Sequence, residues 1–178
     1  MRISIVLICS FLICSVGLTQ GLKLNNVLVI GQFDKPEDRY AIEVNLTELL
    51  TNTGIKAAPS LNILKQGNSA VNLVSDSIQQ LIKSKGFNTY LVVNVRGYDR
   101  SFKPSETKIT LEEMLNMASL YHIYRDEASS VSFEFTFFRN GVVVYRDILK
   151  CGNVSNRDSV IKRFRKKIPK LIEKNWKY

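Results

Sequence analysis

The sequence predicts a single α/β domain: a β-α-β-α-β core whose mixed sheet is extended by an antiparallel hairpin and followed by a C-terminal helix. Three observations predict it. Val/Ile-rich runs alternate with stretches of helical periodicity over the first half of the chain, which implies parallel strands joined by right-handed crossovers. Asn140-Gly141 lies between two alternating runs, a strong hairpin signal. The last stretch repeats apolar residues at helical spacing. With 178 residues, 45% hydrophobic and 23% charged, the chain is long enough for one substantial core.

The first residues, "MRISIVLICSFLICSVGLTQG", read as a secretory signal peptide. Arg2 supplies the positive start, residues 3–13 are nearly all apolar, and Ser15, Gly17 and Thr19 are small. Gly17 and Thr19 suit the positions before a cleavage site, so the expected boundaries are a signal over 1–19 and a domain over 20–178. The apolar run is shorter than the roughly 20 residues that a membrane span needs. Cys9 and Cys14 follow isoleucines, where a lipoprotein signal wants a small residue. Removal of the signal leaves Cys151 alone, so the mature chain can form no internal disulfide despite an oxidising destination. It reads as a half-buried apolar residue.

The elements follow in order. Residues 26–32 form a strand. Asp34 can cap a helix with Pro36 in its first turn and Glu37 at the capping-box position; Gly54 ends it. Residues 55–64 contain a second strand, and Pro59, which cannot donate to a ladder, marks an edge or a bulge. Residues 71–85 form a second helix, closed by Gly86. "FNTYLVVNVRGY" is a third strand, apolar enough for burial on both faces. A polar loop follows, then a short helix in "TLEEMLNMASLYHIY" with a Thr110/Glu113 capping box. In the hairpin, a three-residue loop with a Gly bulge sets Glu134 opposite Arg146; a two-residue loop sets it against Asp147, and like charges in that position repel. Residues 155–176 form a basic amphipathic helix that Pro169 should kink.

The residue types exclude much chemistry. One His and one mature Cys make a zinc site untenable, and His122, among aromatics in "LYHIY", reads as a packing or surface residue rather than a catalytic one. No G-x-S-x-G elbow is present, and nothing marks a base for Ser60 in "APSLN". Gly31 stands without the further glycines of a phosphate loop, and Asp34 puts a negative charge where the anion would sit. Asn45 and Asn153 match glycosylation sequons, but Asn45 falls in mid-helix, and both read as accidental. No catalytic, cofactor-binding or metal-binding residue is predicted.

The candidates that remain are for partner binding. Arg39 and Glu43 are four apart and share a helix face, as a surface ion pair or with Arg39 turned to an acidic partner. Arg96, Tyr98, Asp99 and Arg100 end the third strand on the carboxyl edge, where open α/β sheets bind ligands. The net charge is +9, and residues 157–178 hold nine Lys or Arg against Asp158 and Glu173, so the tail is basic and the body nearly neutral. Arg163, Lys166, Lys167 and Lys170 are its candidate contacts. Export argues against nucleic acid and for an envelope protein partner or an anionic membrane surface.

At "VLVIGQFDKPEDRYAIEVNLTELLTNTGIKAAPSLNIL" the chain resembles small exported proteins of Gram-negative, chiefly Bacteroidota, bacteria. The likeness rests on Arg39, Glu43, Gly54, Ile55, Ala57, Pro59 and Ser60, with "YLVVNVRGYD" following, and covers residues 25–100. In element order the chain is more distantly similar to the TolB amino-terminal and curli-secretion α/β domains. The resemblance implies an envelope role in binding or assembly and carries over no catalytic residue. The expected function is therefore a non-enzymatic exported binding or assembly module. The alternatives are a hydrolase or nucleotide-binding enzyme using the strand-edge cleft, or a peripheral protein held to anionic membrane by the C-terminal helix.

Overall fold

Strand β1 (Asn26–Gly31) lies inside a five-stranded sheet of order β2-β1-β3-β4-β5, with β2 at Lys56–Pro59, β3 at Thr89–Gly97, β4 at Ser130–Arg139 and β5 at Val142–Gly152. The computed structural model describes residues 22–64, 69–97, 110–116 and 130–177. The expected signal segment, the expected polar loop with Tyr98, Asp99 and Arg100, and the stretch with His122 lie outside these, as does the Glu113 side chain of the expected capping box. β1 pairs in parallel with both β2 and β3, while β3–β4 and β4–β5 are antiparallel. The β-α-β-α-β core and its hairpin extension are as expected, and Pro59 sits on the edge strand.

Two layers of helix cover the sheet. On one face Val27, Val29, Leu91, Val93, Phe133, Phe135 and Phe137 pack against helices α1 (Pro36–Asn52) and α4 (Arg157–Leu171). Helix α4 places Phe164 edge-on to Phe133 at 5.2 Å, and Trp176 lies 5.0 Å from Phe135 and 5.1 Å from Phe137. On the other face Leu28, Ile30, Tyr90, Val92 and Phe138 meet Leu73, Ile82, Leu111, Met114 and Leu115, from α2 (Asp76–Ser84), α3 (Leu111–Asn116) and a 3₁₀ turn over Ala70–Val74. β3 is buried on both faces from Thr89 to Asn94, as its apolar run implied.

Four local expectations are corrected. Lys35, not Asp34, is the N-cap of α1, and it makes no side-chain cap; Pro36 is the first helical residue, and its fixed φ starts the helix. The second helix does not run over 71–85. Ser75 is extended, at ψ 141°, and separates the 3₁₀ turn from α2. Its hydroxyl donates to the Asn72 carbonyl, the local competition that makes Ser a helix breaker. The C-terminal helix starts at Arg157 behind a reciprocal Asn156/Ser159 box, passes Pro169 and widens into a π turn at Ile172–Trp176.

The fourth correction is the hairpin. The turn is the two-residue Asn140-Gly141, with φ of 52° and 75°. The pairing then slips between Phe138 and Phe137, so that Glu134 faces Ile148 and Thr136 faces Arg146. Glu134 finds its cation on the other neighbour, because β4 lies between two strands: Arg96 of β3 donates to Glu134 Oε2 at 2.7 Å. A bulge at Arg96 separates Val95 from Gly97 in the β3–β4 ladder.

Candidate functional site

The corner between β1 and α1 is built around a carboxylate. Arg39 and Glu43 lie on the face of α1 that meets the strand ends, and neither is at the surface: Arg39 is 7% exposed and Glu43 0%. This overturns the surface ion pair that their spacing suggested. Glu43 Oε1 accepts the Gly31 N–H at 2.9 Å, Arg39 Nε at 2.9 Å and the Ser60 hydroxyl at 2.7 Å, and Oε2 accepts the Leu61 N–H at 3.1 Å. Arg39 Nη2 also donates to Ser60 Oγ at 2.7 Å. One side chain therefore ties together the end of β1, the first half of α1 and the turn after β2.

The arrangement is unsuited to nucleophilic catalysis. Glu43 is the base that the sequence did not reveal for Ser60, and it lies within hydrogen-bond reach. Yet Ser60 is completely buried, and its oxygen already accepts from Arg39. Glu43 Oε1 already accepts three hydrogen bonds from the protein itself, so its lone pairs are engaged internally rather than turned to a substrate. The signal that could have found the triad is the resemblance motif itself: its Arg, Glu and Ser converge here, although 17 residues separate Ser60 from Glu43.

Beside this network lies an open cleft of about 450 Å³, walled by Gly31 to Asp34, Arg39, Tyr40, Leu61, Asn62 and Ser69. Tyr40 stands on it 57% exposed. Arg96 does not line this cleft; it turns instead onto the sheet toward Glu134. Tyr98 lies outside the described residues.

The basic candidates sit elsewhere, on α4. Lys166, Lys167 and Lys170 are exposed and Arg163 half-buried, and Lys167 donates to the Lys150 carbonyl at 2.6 Å. The helix is fixed to α1 through arginines that sequence reasoning did not single out. Arg157 pairs with the buried Asp38 at 3.3 Å, and Arg165 grips both oxygens of Glu48 at 2.7 Å, which lowers the Glu48 pKa. Cys151 is fully buried rather than half-buried, and burial pushes its thiol up to about 11 against the opposing pull of Lys167 and Arg163. Such a thiol is inert. Among the described residues, no cluster of His, Cys, Asp and Glu could hold a metal ion, and no helix is long and apolar enough to cross a membrane.

No protein-family model matches the sequence, and no curated protein matches it. Solved structures do resemble its fold. A PelC variant dodecamer from Paraburkholderia phytofirmans shares 14% identity over 86% of this chain and 94% of that one, with a TM-score of 0.47. Lipoprotein GNA1162 from Neisseria meningitidis shares 12% identity over 84% of this chain and 98% of that one, with a TM-score of 0.45. These are not the TolB or curli-secretion domains that element order suggested, and at such identities the likeness concerns the fold alone.

Proposed function

We propose that the protein is a non-enzymatic module, exported to the cell envelope, that works by binding or assembly. The observation that carries this reading is the closure of the Glu43 carboxylate by four donors. The strand-edge corner is where an α/β sheet would place a reaction. Here its carboxylate, guanidinium and hydroxyl are spent on holding the corner together. The signal-like leader supports export.

What the molecule offers outward supports binding: the cleft beside Tyr40, and the basic face of α4 with Arg163, Lys166, Lys167 and Lys170. The enzyme alternative loses ground because, among the described residues, Asp34 and Arg39 are the only charged side chains lining the cleft, and Arg39 is already bound to Glu43 and Ser60.

The test is recovery of the tagged full-length protein from its own host by fractionation, cross-linking and N-terminal sequencing. The expected result is an envelope fraction, a mature terminus at Gln20 and a cross-linked or co-sedimenting envelope component. A cytoplasmic protein with its leader intact sinks export. A processed protein recovered with no envelope component sinks binding.

A further inference from the structure

Helix α4 and the π turn after it bury Val160, Phe164, Ile168, Ile172 and Trp176, each four residues after the last. Lys162, Lys166, Lys170 and Lys174 repeat at the same interval, two residues further on, and all four are exposed. Two residues are about 200° of helix, so the lysines stand opposite the buried row and point away from the sheet. At about 1.5 Å per residue they form a ridge that spans roughly 18 Å along the outer side of the helix, winding gradually round it by about 40° per step. Asp158 precedes the ridge and Glu173 lies beside it, and they are the acidic residues of this helix and turn.

The division of labour among the cations is informative. Arg157 and Arg165 are committed inward, to Asp38 and to Glu48, and Lys167 to a main-chain carbonyl. The four ridge lysines have no hydrogen bond or ion pair among the described residues. Arginine is the residue that reads a planar partner bidentately, whereas lysine is a hydrated point charge suited to diffuse attraction. Protein interfaces are depleted in lysine and centre on aromatic or apolar anchors. The ridge has none: the large apolar side chains exposed among the described residues are Tyr40, Leu81, Val142 and Val144, all on other elements. A convex row of lysines fits a flat anionic surface better than a pocket.

We infer that the ridge of Lys162, Lys166, Lys170 and Lys174 is the surface by which this protein adsorbs to an anionic phospholipid bilayer, without inserting into it. The inference deepens the binding role proposed above and rests on it. Polybasic segments are drawn to the negative potential of anionic lipid. Insertion is ruled out by the fold, because the apolar half of α4 is already the core: Trp176 and Phe164 are fully buried. Adsorption is therefore electrostatic, reversible and screened by salt.

The test is flotation of the mature protein with vesicles of phosphatidylcholine alone and of phosphatidylcholine with a third phosphatidylglycerol. Binding to the anionic vesicles only, lost in high salt, is expected. Lys166→Gln with Lys170→Gln should weaken it about 25-fold, at roughly fivefold per lysine. Lys83→Gln with Lys85→Gln, at the C-terminal end of α2, exposed and equal in charge change, should leave it nearly unchanged. Equal binding to both vesicles, binding to neither, or equal loss in the two double variants overturns the inference. If the ridge variant instead loses a cross-linked acidic protein while vesicles are ignored, the bilayer is wrong and the binding module stands.

Discussion

The Ser60 hydroxyl donates to Glu43 Oε1 at 2.7 Å, joining the turn after an edge strand to the middle of the helix that precedes it in sequence. The same oxygen holds Arg39, so the network contains one buried charge pair and a hydroxyl shared between its two members. Glu43→Ala should cost about 3–5 kcal/mol, because it removes the carboxylate from a buried ion pair, whereas Ser60→Ala should cost about 1–3 kcal/mol for the lost charge-assisted bonds. Replacing Arg39 and Glu43 together by Met and Leu should cost less than Glu43→Ala alone. Urea unfolding of the three variants checks the order, and a double variant weaker than the single one contradicts it.

Gly31 is required by closeness rather than by backbone twist. Its N–H reaches Glu43 because the strand end passes tight against α1; a Cβ there would lie 3.0 Å from the Phe33 ring and 3.2 Å from Glu43 Cγ. Gly31→Ala should therefore destabilise by about 1–3 kcal/mol through overpacking. It should also raise amide exchange at Gly31 and Leu61, the two main-chain donors to the carboxylate. Unchanged exchange at both would show that the corner yields without loosening.

Two arginines on α4 pair with α1, and their removal should differ sharply. Arg157 neutralises Asp38, which is 3% exposed, while Arg165 and Glu48 are both largely in water. Arg157→Ala leaves a buried carboxylate short of a donor and should cost about 1–3 kcal/mol. Arg165→Ala should fall near the error of a thermal melt, because an exposed pair is screened. Equal losses would mean that the two helices are held by something other than Asp38.

The Cys151 thiol should make stability fall at alkaline pH. Its folded pKa is raised from 9.0 to about 11 by burial, so the unfolded chain ionises first. Below pH 9 both states are neutral and the site contributes no pH dependence. As pH rises from 9 towards 11 the unfolded thiolate is favoured, and stability is lost across that window. Cys151→Ala should flatten the decline between those pH values in denaturant titrations. The native thiol should react with Ellman's reagent at pH 8 only after unfolding; prompt reaction of the folded protein would contradict the burial.

Several features of the fold were local and therefore legible. The strand and helix periods, the place of the hairpin at Asn140-Gly141 though not its loop length, the positive-φ glycines Gly54 and Gly86 and the exclusion of Pro59 from a regular central strand depend on neighbours in sequence. The i,i+4 spacing also paired Arg39 with Glu43. What spacing could not show was depth: a surface pair and a buried pair have the same sequence pattern, and only the packing of α1 on β1 and β2 takes this one out of water.

Register was the other failure, for a related reason. The sequence could balance Glu134 only against the strand joined to it by the turn, whereas its cation, Arg96, arrives from β3 on the other side. Once Arg96 supplied the charge, the hairpin had no need to set Glu134 against Arg146, and the ladder slipped at Phe137 instead.

By itself, then, the sequence determined the class of fold, its parallel core and the one-sided charge of its tail, because each rests on short-range periodicity and composition. Only the tertiary structure decided what those charges do. Stacking α1 and α4 on one face of the sheet brought Glu43 to Ser60 and Arg157 to Asp38, and buried the apolar row of α4. Burial turned the first two pairs into internal struts, and the same packing left the lysine ridge facing water.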